Sequence, residues 1–485
     1  MKTKQTVFES IEFLFVVAKI YVKVIGILLS RGLFLVYDLW RFPWLFHFLN
    51  LYKLYQIMKT RKGVYREASI YILNEIAVLV ATYILNMLQN QKTLVLAEDI
   101  IPPEIIRAMG LTPFSPEIIA IMLTIISPNA MEKYIDVCEN SGIPADLCSL
   151  PKCAMGMALA NELPKAKAII ASNLPCDAGM SSYTTIQKNM GVPTLRLDVP
   201  YHFKTDRAID YFKEQLEEMV VFLEKHTAGR MDWNKLKEIC EERNRTQETE
   251  KELWDLAKLK PAPIGSEIIY LSHLVLFNIF PGDKRCTDIY KKLIDYGKKS
   301  LNQPQGAAIE NESYRILLWN PPMAHFPLSF SWAEEKYGAI MVMDSMTFNA
   351  LETIDTATHD TLMRGLSTVI MQGPMSRHVR GPAENYFNDI FFIQKHFKID
   401  ILWVADNIGC KMSAGLNEIL RSKCRENNIP MLIITYDLMD RRFAGPEDIM
   451  SHIDHFMETI MIGSGMNSFP DMKELHLEDI SLTYP

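Results

Sequence analysis

Six short apolar runs constrain this chain more than any other feature. They are "AKAIIAS" (166–172), "PTLRLDV" (193–199), "RILLWN" (315–320), "AIMVMD" (339–344), "DILWVAD" (400–406) and "PMLIITYD" (430–437). All are rich in Ile, Val and Leu, and helical patterns such as 180–190 and 414–427 lie between some of them. Apolar strands alternating with helices are the mark of parallel sheets covered on both faces, so the fold class is α/β. At 485 residues the chain exceeds what one core supports, and two or three units are expected. The pattern divides it into an apolar helical extension (1–92), a first α/β domain (93–204), a helical insert (205–310), a second α/β domain (311–460) and a tail (461–485).

The insert is charged and helical in period, through "RAIDYFKEQLEEMVVFLEKH" and "WNKLKEICEERNRTQETEKELWDLAKL", with "KPAPIG" (260–265) as a break between helices. In the extension, Lys19, Lys23 and Arg31 interrupt residues 11–58 before any run reaches the roughly 20 apolar residues of a spanning helix. Residues 76–91 are also too short and end in amides. Both stretches are expected to be core or subunit-interface helices, with a helix lying on a membrane surface as the alternative. The start "MKTKQTVFES" lacks a signal-peptide pattern, since Glu9 and Glu12 precede any apolar core. Eight cysteines are too few for a disulfide scaffold, so a reducing, cytoplasmic location is expected. A net charge of −7 argues against a general nucleic-acid binder.

Two of the apolar runs end in a small polar turn and a single cysteine: "AKAIIASNLPCDAG" leads to Cys176 and "IDILWVADNIGCKMS" to Cys410. Each cysteine is followed by a helical pattern and another strand, ending at Asp198 in one case and Asp437 in the other. In open α/β sheets ligands lie beyond the carboxyl ends of strands, so two such units facing each other would bring both thiols to one cleft. A third thiol, Cys148 in "GIPADLCSLPKCAMGMALA", precedes a helix, and a helix N-terminus favours a thiolate. Cys153 is the substitute for Cys148. Scattered single cysteines are more often buried and inert, which is the reading for Cys138, Cys240, Cys286 and Cys424 in their helical contexts.

Other chemistry is excluded. The chain has no CxxC, GxGxxG, GxxxxGK[ST], HExxH or GxSxG, and its eleven histidines form no metal-ligand pairing. "GSGMNS" (463–468) follows no strand and reads as a loop.

Taken in order, "IPPEIIRAMGLTPFSPE", "GIPADLCSLPKCAMGMALA", "IIASNLPCDAGMSSYTTIQKNMGVPTLRLDVPYHF", "NRTQETEKELWDLAKLKPAPIGSEI", "IDILWVADNIGC" and "NIPMLIITYDLMDRRF" resemble the 2-hydroxyacyl-CoA dehydratase and benzoyl-CoA reductase subunit family. The likeness runs from about 95 to 455, and "LDVPY" and "KPAP" most resemble the α-type dehydratase subunits. It implies two Rossmann-like halves facing across a cleft. It further implies a 4Fe–4S cluster held by Cys148, Cys176 and Cys410, with one iron open to an acyl-CoA thioester. It implies a homologous second subunit, in a heterodimer or a homodimer, and an ATP-dependent iron–sulfur activator that delivers one electron. In the dehydratases that electron makes a ketyl radical anion that expels the 2-hydroxyl and then returns the electron. The runner-up is a benzoyl-CoA-reductase-like or other low-potential acyl-CoA reductase; from another class comes a non-catalytic electron-relay or scaffold subunit.

The likeness also places Glu117, in "PFSPE", near the cluster as an acid–base or hydroxyl-binding group, with Ser115 beside it. The plain alternative is a helix start, with Ser115 as N-cap, Pro116 at N1 and Glu117 in the first turn. Glu104, in "IPPE", is read as structural. The sequence departs from the dehydratases at "VLAEDIIPPE", where Glu98 and Asp99 stand in place of serines. Two carboxylates there would change what an open iron binds and could supply a proton for reduction. Arg377 and Arg380 in "SRHVRGPAENYF", and Arg441 and Arg442 in "DRRF", are the candidate cations for the CoA phosphates.

Overall fold

The computed structural model describes residues 2–202, 204–303, 306–348 and 353–463. Two four-stranded parallel sheets organise the chain. The first contains β1 (Leu94–Ala97), β2 (Thr112–Phe114), β3 (Ala168–Ser172) and β4 (Thr194–Leu197) in the order β2-β1-β3-β4. The second contains β5 (Tyr314–Trp319), β6 (Ala339–Asp344), β7 (Ile401–Asn407) and β8 (Met431–Tyr436) in the order β6-β5-β7-β8. The two orders are the same. In each sheet the chain builds outward on one side, then crosses back to build the other, so the switch of direction falls between the two central strands.

The expected runs therefore became β3 to β8. The strands β1 and β2, four and three residues long, were not foreseen. Successive side chains of a strand face opposite ways, and the cores follow that rule. Leu94 and Leu96 of β1 join a large apolar cluster that also contains Ile169 and Ala171 of β3 and apolar residues from every strand of the second sheet. Val95, Ala97, Ala168 and Ile170 face a second cluster, covered by the helices Asp206–His226 and Trp233–Ala257. The helix His359–Gln372, which follows β6, closes that same cluster with Leu362, Met363 and Leu366. Packing thus ties the two sheets together on both faces of the first.

Residues 206–301 contain four helices and no strand, in keeping with their charged 3.6-residue period. Thr205 and Asp232 start the first two as N-caps, accepting hydrogen bonds from the backbone of Ala208 and Lys235. In the extension, the helix Gly63–Gln89 is long and apolar enough to cross a membrane, yet it is mostly buried within the protein and serves as a core helix. Arg61 anchors its start: the guanidinium meets Glu267 through two nitrogens, at 2.7 and 3.1 Å, and also pairs with Glu334. Ser69 and Tyr65 donate to the same two carboxylates. From 464 onward the expected tail and the "GSGMNS" loop lie outside the described residues.

Arg315, at the second position of β5, has no exposed surface. Its guanidinium donates to the carbonyls of Phe397, Leu259 and Ala257, and to Glu312 at 2.7 Å, while its N–H donates to Asp400. One side chain thereby joins the strand to the end of a long helix and to the loop before β7. Arg315→Met leaves three carbonyls without a donor and Glu312 without its cation, and is expected to cost about 3–5 kcal/mol. The measurement is the thermal unfolding midpoint, compared with that of an exposed control such as Arg425→Met.

Candidate functional site

Cys176 lies four residues beyond β3 and Cys410 three beyond β7. Each follows the third strand of its sheet, so each occupies the crevice at a topological switch point, where α/β sheets bind ligands. Cys148 comes from a separate loop. All three share one local geometry, in which the cysteine is the N-cap of a helix: Ser149–Leu159, Asp177–Met190 or Lys411–Glu426. Backbone N–H groups of the first turn act electrostatically on each sulfur, although none makes a capping hydrogen bond to it. They come from Leu150 for Cys148, from Ala178 and Gly179 for Cys176, and from Met412 and Ser413 for Cys410. Helix N-termini carry partial positive charge, so three of them surround the position where three thiolates would sit.

The fold brings the thiols together across the two sheets. Cys148 feels both Cys176 and Cys410 electrostatically, and Cys176 feels Cys410. Asn407, at the end of β7, donates from Nδ2 to Cys148 Sγ at 3.2 Å. Its Oδ1 accepts from the backbone of Leu438, and Met439 N donates to Ser149 Oγ, so the loop after β8 is held to the Cys148 segment as well. Gly409 makes this approach possible: a Cβ there would lie 2.4 Å from Cys148 Cα. Burial is the main influence on the sulfurs. It pushes the Cys148 thiol up to about 12 and raises Cys176 and Cys410 as well. Cys153 is wholly buried one helical turn further on, and Cys138, Cys240, Cys286 and Cys424 are buried core thiols. Among the described residues no group of three or more His, Cys, Asp or Glu converges closely enough for a single metal ion.

A second group of side chains borders the Cys176 thiol. Glu98 follows β1, Ser115 and Glu117 follow β2, and Ser172 ends β3, so all stand at the carboxyl ends of neighbouring strands. Glu98 Oε2 accepts from the Ser172 backbone at 2.6 Å and from its hydroxyl at 2.8 Å. Its Oε1 is buried without a partner among the described residues, facing Gly179 in the first turn of the Cys176 helix. Glu117 Oε2 accepts from Tyr183 at 2.7 Å and from Ser115 at 3.1 Å. Ser115 also caps its helix, accepting from Ile118 N, so the structural and chemical readings of "SPE" hold together. Burial first, and the neighbouring carboxylates second, raise these groups: Glu98 stands well above the usual carboxylate range and Glu117 at about 7. Asp99 is raised by burial to about 6. Tyr183, on the helix that Cys176 begins and seven residues beyond it, ties that helix to Glu117; that spacing was its available sequence signal.

The candidate phosphate-binding cations are committed elsewhere. Arg377 makes a two-point pair with Asp389, at 2.6 and 2.8 Å, and shares that carboxylate with His378. Arg380 donates to the carbonyl of Asn173, three residues before Cys176, and so braces the thiol loop. Arg441 pairs with Glu132, and Arg442 with Asp440 and Asp136. Glu104 pairs with Arg243 in the core, the structural role expected of it.

A model of the family described as 2-hydroxyglutaryl-CoA dehydratase, D-component, matches residues 100–460. The chain belongs to this family. Among curated relatives, the (R)-phenyllactyl-CoA dehydratase alpha subunit of Clostridium sporogenes is 24% identical over 198 residues, 38% of this chain and 47% of that one. The (R)-2-hydroxyisocaproyl-CoA dehydratase alpha subunit of Clostridioides difficile is 22% identical over 39% of this chain and 48% of its own length. The match thus spans about half the length of these two relatives. Lactoyl-CoA dehydratase subunit alpha of Anaerotignum propionicum is 21% identical over 397 residues, 74% of this chain and 89% of that one. The expected kinship with dehydratase α-type subunits is thereby established, and the family match stops short of residues 1–99.

The raised carboxyls set a pH test. Glu117 keeps its proton in the fold at pH values where the unfolded chain has lost it, so its contribution favours folding below about 4.5 and fades as pH rises through about 7. Glu117→Gln is expected to reduce the fall in stability across that window by up to about 1.4 kcal/mol per pH unit. Urea unfolding midpoints across that window, for the parent and the variant, check this.

Proposed function

We propose that this chain is the 4Fe–4S-bearing subunit of a radical-type 2-hydroxyacyl-CoA dehydratase, with Cys148, Cys176 and Cys410 as the cluster ligands. The observation that carries the reading is the convergence of three N-cap thiols from three separate segments, two of them at equivalent switch points. The donor set fits: soft thiolates suit iron–sulfur clusters, and a cube of four irons takes its sulfurs at its corners rather than at one point. The helix N-termini beside each sulfur supply the positive potential that would help tune such a cluster's charge. When bound, the cluster would supply a low-potential electron to the substrate thioester, received from an ATP-dependent iron–sulfur activator.

The side chains of this chain supply the rest. The three thiols are partly buried, so one side of each stays open to a ligand. Glu117, oriented by Tyr183 and Ser115, holds a proton near neutral pH and can give or take one beside a bound acyl group. The relatives named as alpha subunits support a homologous second subunit as partner. Arg380, with one nitrogen fixed on Asn173 O, braces the Cys176 loop.

In oxygen-free preparations we expect about four irons and four sulfides per chain, an estimate set by the cluster class. Cys148→Ala, Cys176→Ala and Cys410→Ala should each lose the cluster's EPR and Mössbauer signals, while Cys240→Ala keeps them. A folded chain that holds no iron under these conditions would sink the reading.

The buried Glu98 favours a second reading within the family, net reduction of an acyl-CoA. Its Oε1 faces the Cys176 helix unpartnered, and burial raises its carboxyl well above the usual carboxylate range, so it keeps a proton more readily than an ordinary glutamate and can donate it where a serine cannot. Product analysis separates the two. Dehydration yields a 2-enoyl-CoA with no net consumption of reductant; reduction consumes electrons in proportion to product, and Glu98→Ser should slow it at least tenfold.

A further inference from the structure

Residues 12–52 carry thirteen of the large apolar side chains that the described structure leaves exposed, out of twenty-four in total. The concentration is not explained by the core. On the helix Lys2–Leu29, Val17, Ile20 and Val24 are buried toward the protein, and this helix packs on Gly63–Gln89. Its other side presents Phe15, Ala18, Val22, Ile25 and Leu29, all exposed and spaced three or four residues apart, which is one continuous helical stripe. Lys19 and Lys23 are exposed one position beyond two members of that stripe. The chain then bends by 101° into the helix Phe34–Arg41. Around the bend it exposes Leu33 (92%), Phe34 (66%), Tyr37 (55%) and Trp40 (74%). Phe46, Leu49 and Tyr52 continue the exposed set.

Charge identifies the occupant. Residues 1–62 contain ten lysines and arginines against three acidic residues, Glu9, Glu12 and Asp38; leaving aside Arg61, buried on Glu267 and Glu334, and Lys62, paired with Glu310, eight remain, whereas the chain as a whole has a net charge of −7. Two of those acids are already paired, Asp38 with Arg31 and Glu12 with Arg66. Protein–protein interfaces are depleted in lysine at their centres. Exposed aromatics beside an apolar stripe flanked by lysines suit a bilayer boundary, where the rings sit at headgroup level and the ammonium groups reach the lipid phosphates. We propose that segment 12–52 docks this protein on an anionic phospholipid surface, lying in the interface without crossing it. The inference stands independently of the thiol site.

The test is flotation of the full chain with vesicles of phosphatidylcholine alone or phosphatidylcholine mixed with phosphatidylglycerol. The parent is expected to partition at least tenfold more strongly onto the anionic vesicles. Leu33→Glu with Trp40→Glu should reduce that partitioning at least tenfold, Lys19→Glu with Lys23→Glu should abolish the preference for anionic lipid, and Phe392→Glu, at an exposed apolar position elsewhere, should change nothing. Circular dichroism reports whether the first pair folds; if it does not, the lysine pair decides. Absence of vesicle binding, or equal binding to both vesicles, would overturn the proposal. So would a parent that self-associates in light scattering without binding lipid while Leu33→Glu with Trp40→Glu is monomeric, since a second copy would then be the occupant.

Discussion

The site depends on one close approach, the backbone of Gly409 against that of Cys148. Any side chain at 409 would have to push the Cys148 loop aside, and with it the helix that begins there. The contact is supported by the Asn407 amide on the Cys148 sulfur and by Met439 N on Ser149. It is also backed at longer range by apolar packing that runs from the first sheet into the second. The two sheets could each fold with their switch points apart. Fixing them together is the work of this seam, and the thiol arrangement is its result.

Two electrostatic effects meet beside that seam. Burial favours the neutral form of the three thiols and of Glu98 and Glu117 alike. At the thiols alone, helix N-termini offer positive potential that partly offsets burial. The carboxyls lack that offset and keep their protons more readily than ordinary glutamates.

The sequence made much of this legible, for identifiable reasons. Strands β3 to β8 announced themselves because buried parallel strands are almost purely apolar, and the positions of Cys176 and Cys410 followed from them. β1 and β2 were hidden because three or four residues give no periodicity to read, and so the role of Glu98 and Ser115 as strand-end residues was hidden as well. The protein partners of Arg377 and Arg380 could not be read from the sequence because cationic clusters carry no mark of them; Asp389 lies on the following helix and Asn173 is over two hundred residues away. Tyr183, Asn407 and Gly409 stood in quoted motifs without an assigned role, since their tasks depend on contacts between halves of the chain.

The repeated strand order carries one more lesson. Asn173 stands three residues before Cys176, just as Asn407 stands three before Cys410, and each amide ties its loop to the strand beyond, through Val199 in one half and Leu438 in the other. Only in the second half does the amide nitrogen turn aside to a foreign sulfur, that of Cys148. A twofold scaffold therefore provides two thiols by repetition and the third by exception. The departure from symmetry is concentrated in the short segment around Cys148, where a single inserted thiol converts a pair of matching loops into a three-cornered, and hence directional, socket.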